Sequence, residues 1–126
     1  MIKLTYCDDS MLQRKAIDEW LKIYSAKKGV TLEGVPFSTG TDLLSAVENG
    51  AKFDIYILDV IMPELKGTEV AAKLRETDKN GKIIFLSSTS VFGDSASDVD
   101  SIGYLIKPIT AEQLYDMLDK AISELD

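Results

Sequence analysis

Residues 53–67 read Phe53-Asp54-Ile55-Tyr56-Ile57-Leu58-Asp59-Val60-Ile61-Met62-Pro63-Glu64-Leu65-Lys66-Gly67. The run 55–58 is short, apolar and rich in β-branched and aromatic side chains. That suits a strand buried on both faces, as in a parallel sheet. It ends in a carboxylate, Asp59. Met62-Pro63 breaks the pattern, and Gly67 sits just before a helical one. An acid at the carboxyl end of such a strand lies where open α/β sheets place their ligands. Taken alone, the stretch leaves Asp59 open between a turn residue and a reactive group.

Working outward, apolar runs and helical patterns alternate along the chain. Residues 2–7 read as a first strand, closed by Asp8-Asp9-Ser10, where Asp9 or Ser10 can cap the next helix. Leu12, Ala16, Ile17, Trp20, Leu21 and Tyr24 then form an apolar helical face over about 11–28, and Gly29 is placed to stop it. Residues 30–37 read as a second strand. Pro36 marks it as an edge, since proline cannot donate to a sheet ladder. A short helix over 42–48, capped by Thr39 or Thr41, leads into the central strand 53–59. A third helix follows over 67–77, and a fourth strand over 82–86 ends in Ser87. The segment 94–101 carries few apolar anchors, so a fourth helix there is expected to be short or mobile. Residues 103–106 form a fifth strand before Lys107-Pro108. Thr110 and Gln113 make a capping box for a last helix with Leu114, Met117, Leu118, Ala121, Ile122 and Leu125 inward. Five strands alternating with five helices predict a doubly wound α/β fold, a parallel sheet in a three-layer sandwich.

Composition narrows the chemistry. The chain has 126 residues, 45% of them hydrophobic, a size suited to one domain with a real core. No apolar run approaches the ~20 residues needed to span a bilayer. The first residues lack a signal-peptide pattern, so the expected location is cytoplasmic. The net charge of −7 argues against direct nucleic-acid binding by this domain. There is no histidine, which excludes a His general base, a Ser-His-Asp triad and His-ligated zinc. The single cysteine, Cys7, excludes an internal disulfide and reads as a buried core residue.

In a parallel sheet the carboxyl ends of the strands share one edge. Here they present Asp8 and Asp9, Asp59, Ser87 and Lys107. Carboxylates gathered at one edge attract a cation, and oxygen-only ligands favour Mg²⁺. Asp59 can then act as a nucleophile toward phosphorus. Lys107 can neutralise charge on the transferring group, and the Ser87 hydroxyl can donate to a phosphoryl oxygen. Each residue alone has a plain structural reading, as cap, turn or surface group. Their joint placement, one set per strand end, favours the chemical one.

These residues carry a resemblance. The chain resembles, from end to end, the receiver domain of two-component response regulators, and all of 1–126 is expected to be one such domain. The matching motifs are Asp8-Asp9, the run around Asp59, Ser87 after an apolar strand, and Tyr104-Leu105-Ile106-Lys107-Pro108. The resemblance implies a flavodoxin-like sheet in the order 2-1-3-4-5. It implies that Asp59 accepts phosphate from the histidine of a partner kinase or phosphotransfer protein. It also implies Mg²⁺, with Mn²⁺ as a substitute, held by Asp9, Asp59 and the backbone carbonyl of Ile61, with Asp8 acting through water. Lys107 would contact the phosphoryl group, and the Lys107-Pro108 bond would be cis. In the implied switch Ser87 moves to the phosphoryl group and Tyr104 turns inward. The face of the fourth helix, fifth strand and fifth helix then changes shape for an output domain or protein, or for a phosphorylation-dependent homodimer. The implied role is signalling by self-phosphorylation and self-dephosphorylation, not turnover of external substrates. The receiver is expected to stand alone or to form the front of a longer regulator. A loose similarity over 83–92 and 102–108 to receivers joined to LytTR-type DNA-binding domains suggests one such output.

Asp100 stands where many receivers carry glycine, and aspartate tolerates left-handed backbone less well. Ile61 lies two places past Asp59 and cannot orient a water, so a long-lived phosphoryl group is expected. A haloacid-dehalogenase-type phosphatase needs a second acid at the position of Ile61. A flavodoxin needs a hydroxyl-rich loop where Asp8-Asp9 would repel phosphate. A degenerate receiver would have lost the acids or the lysine, and all are present.

Overall fold

The computed structural model describes residues 1–88 and 99–125. Five strands alternate with helices: β1 (Ile2–Cys7), α1 (Met11–Lys28), β2 (Leu32–Phe37), α2 (Gly40–Glu48), β3 (Ile55–Asp59), α3 (Gly67–Arg75), β4 (Lys82–Ser87), β5 (Gly103–Ile106) and α4 (Ala111–Ser123). The strands form one parallel sheet in the order β2-β1-β3-β4-β5. This is the expected α/β, flavodoxin-like order. Four helices lie among the described residues. Of the fifth, expected over 94–101, residues 94–98 lie outside them, and Val99 and Asp100 form a turn.

Alternation along the strands splits the core into two layers. Leu4, Tyr6, Ile55, Ile57, Ile84 and Leu86 face one way, against Ile17 and Leu21 of α1 and Leu114 and Leu118 of α4. Cys7, Tyr56, Leu58, Ile83 and Phe85 face the other way, against Leu43 of α2 and Val70 and Leu74 of α3. β3 is buried along its whole length, which explains its unbroken apolar run. β2 is an edge, paired only with β1, and Pro36 is accommodated there opposite Tyr6.

Caps fall at the chemical positions that favour them. Ser10 Oγ accepts from Gln13 N–H, and Thr39 Oγ1 accepts from Asp42 N–H. Thr110 and Gln113 bond reciprocally at the start of α4. Gly29 closes α1 in the left-handed region, with φ 64°. Asp78 Oδ1 accepts from the N–H groups of Asn80 and Gly81, building the turn before β4.

One sequence expectation fails. Leu12 is not part of the inward face of α1; it is 78% exposed. The first turn of α1 lies ahead of the positions that bury against the sheet, which begin at Ile17. Ile17, Leu21 and Tyr24 are buried as expected, while Trp20 packs half-buried at the rim. Several boundaries also move by one or two residues: β2 begins at Leu32, β3 at Ile55, and β4 runs on to Ser87.

Candidate functional site

The sheet register brings the strand-end residues together. Cys7 pairs with Leu58, so Asp8 follows beside Asp59. Asp59 pairs with Leu86, and Ser87 pairs with Ile106, which places Lys107 one step beyond. Lys107 N–H donates to the Ser87 carbonyl at 2.6 Å, fixing the start of the loop that carries its side chain. The Lys107-Pro108 peptide is cis.

The side chains converge. One carboxylate oxygen from each of Asp8, Asp9 and Asp59 lies within 4.8 Å of the others. Lys107 Nζ stands 2.9 Å from Asp8 Oδ2 and 3.3 Å from Asp59 Oδ1. Asp8 and Asp59 are 1% and 4% exposed, whereas Asp9 is open to solvent. Asp8 is committed on every side. Its Oδ1 accepts from Ser10 N–H, its Oδ2 from Lys107, and its carbonyl from Arg14 Nη1 at 2.6 Å. Ser87 is fully buried at the end of β4, and Tyr104 on β5, in register with Phe85, is exposed. Ile61 is 53% exposed beside Asp59. Cys7 is buried, with its Sγ 3.7 Å from Met62 Sδ. Burial first, then the Asp8 charge, pushes its thiol up to about 12, so it stays protonated and unreactive.

Burial also pushes the Asp59 carboxyl up to about 6; the neighbouring Asp8 charge adds to this and Lys107 partly offsets it. For Lys107, burial pulls the ammonium down. The bond to Asp8 and the charges of Asp59 and Asp8 outweigh that, and its pKa is raised. Two buried carboxylates thus share one ammonium and remain one positive charge short. The donors are all oxygens, at a spacing that fits a hard divalent cation.

A pH dependence follows. In metal-free protein, folded Asp59 keeps a proton that the unfolded chain, with an ordinary carboxyl near 3.8, has already released. Stability therefore falls as pH rises from about 4 to about 6, by on the order of 2–3 kcal/mol, and the full cost remains above that window. Urea unfolding in the presence of a chelator should show this fall. Asp59→Asn should flatten it and raise stability at pH 7.

The backbone around the site is tightly built. A Cβ on Gly67, the first residue of α3, would lie 2.2 Å from the Asp59 carbonyl oxygen, and Gly67 N–H donates to the Val60 carbonyl. Glu64 takes a left-handed conformation, φ 69°, in the turn after Pro63. At the entrance to β5, Asp100 adopts φ 55°, the geometry for which glycine is favoured. Arg75 at the end of α3 donates to the carbonyls of Val99, Asp78 and Asp100, holding that entrance.

Sequence reasoning located Asp8, Asp9, Asp59, Ser87 and Lys107 and missed Arg14. One signal was available. Arg14 lies near the N-terminal end of α1, where a cation opposes the helix dipole, and a residue kept there needs a local partner.

Comparisons with known proteins agree with this architecture. The sequence profile of the response regulator receiver domain matches residues 4–119. The positive alginate biosynthesis regulatory protein of Pseudomonas aeruginosa is 38% identical over 84 residues, covering 67% of this chain but only 34% of that protein. Chemotaxis protein CheY of Listeria monocytogenes is 27% identical over 135 aligned residues, covering 96% of this chain and 98% of that one. Among solved structures, the response regulator protein TrrA of Thermotoga maritima, in complex with Mg²⁺-BeF, superposes with a TM-score of 0.80 at 28% identity, over 96% of this chain and 99% of that one. The family profile takes in most of β1, the other four strands and most of the last helix, and on that ground the chain belongs to the response regulator receiver domains of two-component systems.

Proposed function

We propose that residues 1–126 form one phosphoacceptor receiver in which Asp59 takes a phosphoryl group from the phosphohistidine of a partner kinase or phosphotransfer protein. The carrying observation is a buried strand-end carboxylate, Asp59, within 3.3 Å of an ammonium and inside a three-carboxylate cluster. In the step, an Asp59 carboxylate oxygen forms a bond to phosphorus as the P–N bond to the donor imidazole breaks. The electron pair stays on the imidazole nitrogen, which takes a proton from solvent. Lys107 remains charged and faces the developing negative charge on the phosphoryl oxygens.

Receiver domains bind Mg²⁺ at an acidic pocket, and the donor set here suits that ion. Asp9, Asp59 and the Ile61 carbonyl would hold it. Asp8 would reach it through water, which is supported by its two oxygens already accepting from Ser10 and Lys107. A bound Mg²⁺, or Mn²⁺ in its place, would neutralise charge on the phosphoryl group and offset the repulsion between the Asp59 and Asp8 carboxylates.

After transfer, the Ser87 hydroxyl turns to a phosphoryl oxygen and Tyr104 moves inward. The face made by the residues before β5, β5 itself and α4 then changes shape for an output domain, an output protein or a second copy. Tyr104 and Ile106 are partly exposed on that face, at 40% and 39%, which leaves room for such a change. Receivers are signalling domains, not turnover enzymes on external substrates, and none of these steps consumes one. No helix among the described residues is long and apolar enough to cross a membrane; the cytoplasmic site of action proposed here rests on membership of the receiver family.

Incubation with Mg²⁺ and a small phosphodonor should add the mass of one phosphoryl group, and Asp59→Asn should abolish the gain. No gain in the unaltered protein would overturn the proposal. Ile61 is apolar and stands at the mouth of the site, so the phosphoryl group should be long-lived. Ile61→Asn should speed its loss several-fold when decay is followed after donor removal, and equal decay would remove Ile61 from the account.

A further inference from the structure

We propose that Arg14 is a positioning residue of the cation site, acting by holding the peptide plane that joins Asp8 to Asp9. The inference rests on the reading of Asp8, Asp9 and Asp59 as a divalent-cation site. Its observation is separate: Arg14 Nη1 lies 2.6 Å from the Asp8 carbonyl oxygen, a charge-assisted bond from the second turn of α1 back to the loop before it.

That oxygen belongs to the planar unit running from Asp8 Cα to Asp9 Cα. Pinning it therefore fixes the direction in which the chain leaves Asp8 and from which the Asp9 side chain departs. Asp8 is already held by β1, by its N–H bond to the Phe37 carbonyl, by Ser10 and by Lys107. Asp9 is exposed, and among the described residues no hydrogen bond to its side chain accompanies those of Asp8. The peptide plane is thus the means by which the buried, hydrogen-bonded acid orients the exposed one. The Arg14 backbone N–H bonds the Ser10 carbonyl, so the residue that clasps the loop is itself fixed to it.

Two effects of Arg14 on a bound cation have opposite signs, and this makes the inference testable. As a nearby positive charge, Arg14 repels the cation, and its removal should tighten binding. As a positioning residue it preorganises the ligands, and its removal should weaken binding, as loss of outer partners commonly does. Lys15, next along α1, provides the control. It is exposed and carries the same charge without that bond.

The test titrates Mn²⁺ into metal-free full chain by calorimetry at pH 7. Arg14→Met keeps much of the aliphatic stem and should bind Mn²⁺ about tenfold more weakly. Lys15→Met should bind as tightly as the unaltered chain or more tightly. Without metal, the Ser10 amide should exchange faster with solvent in Arg14→Met, while a merely structural role would lower Tm and leave the Mn²⁺ affinity alone. Unchanged or tighter Mn²⁺ binding by folded Arg14→Met would overturn the inference, as would equal weakening in Lys15→Met. No Mn²⁺ binding by the unaltered chain would instead overturn the cation-site reading itself, and the inference with it. If circular dichroism shows Arg14→Met unfolded, Arg14→Lys carries the test: it keeps the charge but is too short to hold the same carbonyl. Weaker Mn²⁺ binding by Arg14→Lys supports the inference and equal binding overturns it.

Discussion

Lys107→Met is expected to lower stability by on the order of 3 kcal/mol at pH 7, because it leaves two buried carboxylates without their shared cation. Methionine has nearly the length of lysine and fills the same space, so the loss is electrostatic. It should shrink at pH 5, where Asp59 can hold a proton in the folded state. Added Mg²⁺ should restore more stability to the variant than to the unaltered chain, since it supplies the missing positive charge. Urea unfolding at both pH values, with and without Mg²⁺, reads all three effects. Phosphoryl acceptance should fall by on the order of 100-fold even in the refolded, Mg²⁺-saturated variant, because one positive partner of the transferring group is gone. A variant as stable as the parent at pH 7 would mean that Asp8 and Asp59 do not depend on Lys107.

Gly67→Ala should be nearly as damaging through a different cause. The new Cβ would meet the Asp59 carbonyl oxygen at 2.2 Å, the Asp59 carbonyl carbon at 2.8 Å and Val60 Cα at 3.0 Å. All three are backbone atoms and cannot swing aside, so α3 or the end of β3 must shift. A cost of ~3 kcal/mol is expected in unfolding. Because the displaced backbone is that of Asp59 itself, phosphoryl acceptance should also fall, by about 100-fold for a displacement near 1 Å. Gly29→Ala is the matched control. Gly29 is left-handed but has nothing within 4 Å of its would-be Cβ. It should lose about 1 kcal/mol of stability and leave acceptance unchanged. An equal loss of acceptance in both variants would show that Gly67 acts only through stability.

The contrast between these residues shows what the sequence could carry. Asp59 was legible because it ends an apolar run, and Lys107 because it precedes a proline at the end of another. Strand order and register decide that the two come within 3.3 Å, and neither follows from local pattern. Pro36 announced its edge strand because proline lacks the donor an inner strand needs. Leu12 misled because helical periodicity continues one turn past the surface that gives it meaning. Arg14 and Arg75 stayed hidden because both bind backbone carbonyls, and a carbonyl leaves no mark on the composition. The close approach of Gly67 to Asp59 was invisible for the same reason, whereas the left-handed Asp100 could be anticipated from the glycine that usually stands there. The expectation of a short or mobile helix over 94–101 falls on a segment of which 94–98 lie outside the described residues.

The account rests on Asp59 as the acceptor, and one measurement reaches it directly. The protein is incubated with Mg²⁺ and a small phosphodonor, reduced with borohydride to convert any acyl phosphate to a stable alcohol, digested and mapped by mass. A single converted residue, Asp59, is expected, and none when a chelator replaces Mg²⁺. Conversion at another residue, or conversion of Asp59 that persists without a divalent cation, would contradict it.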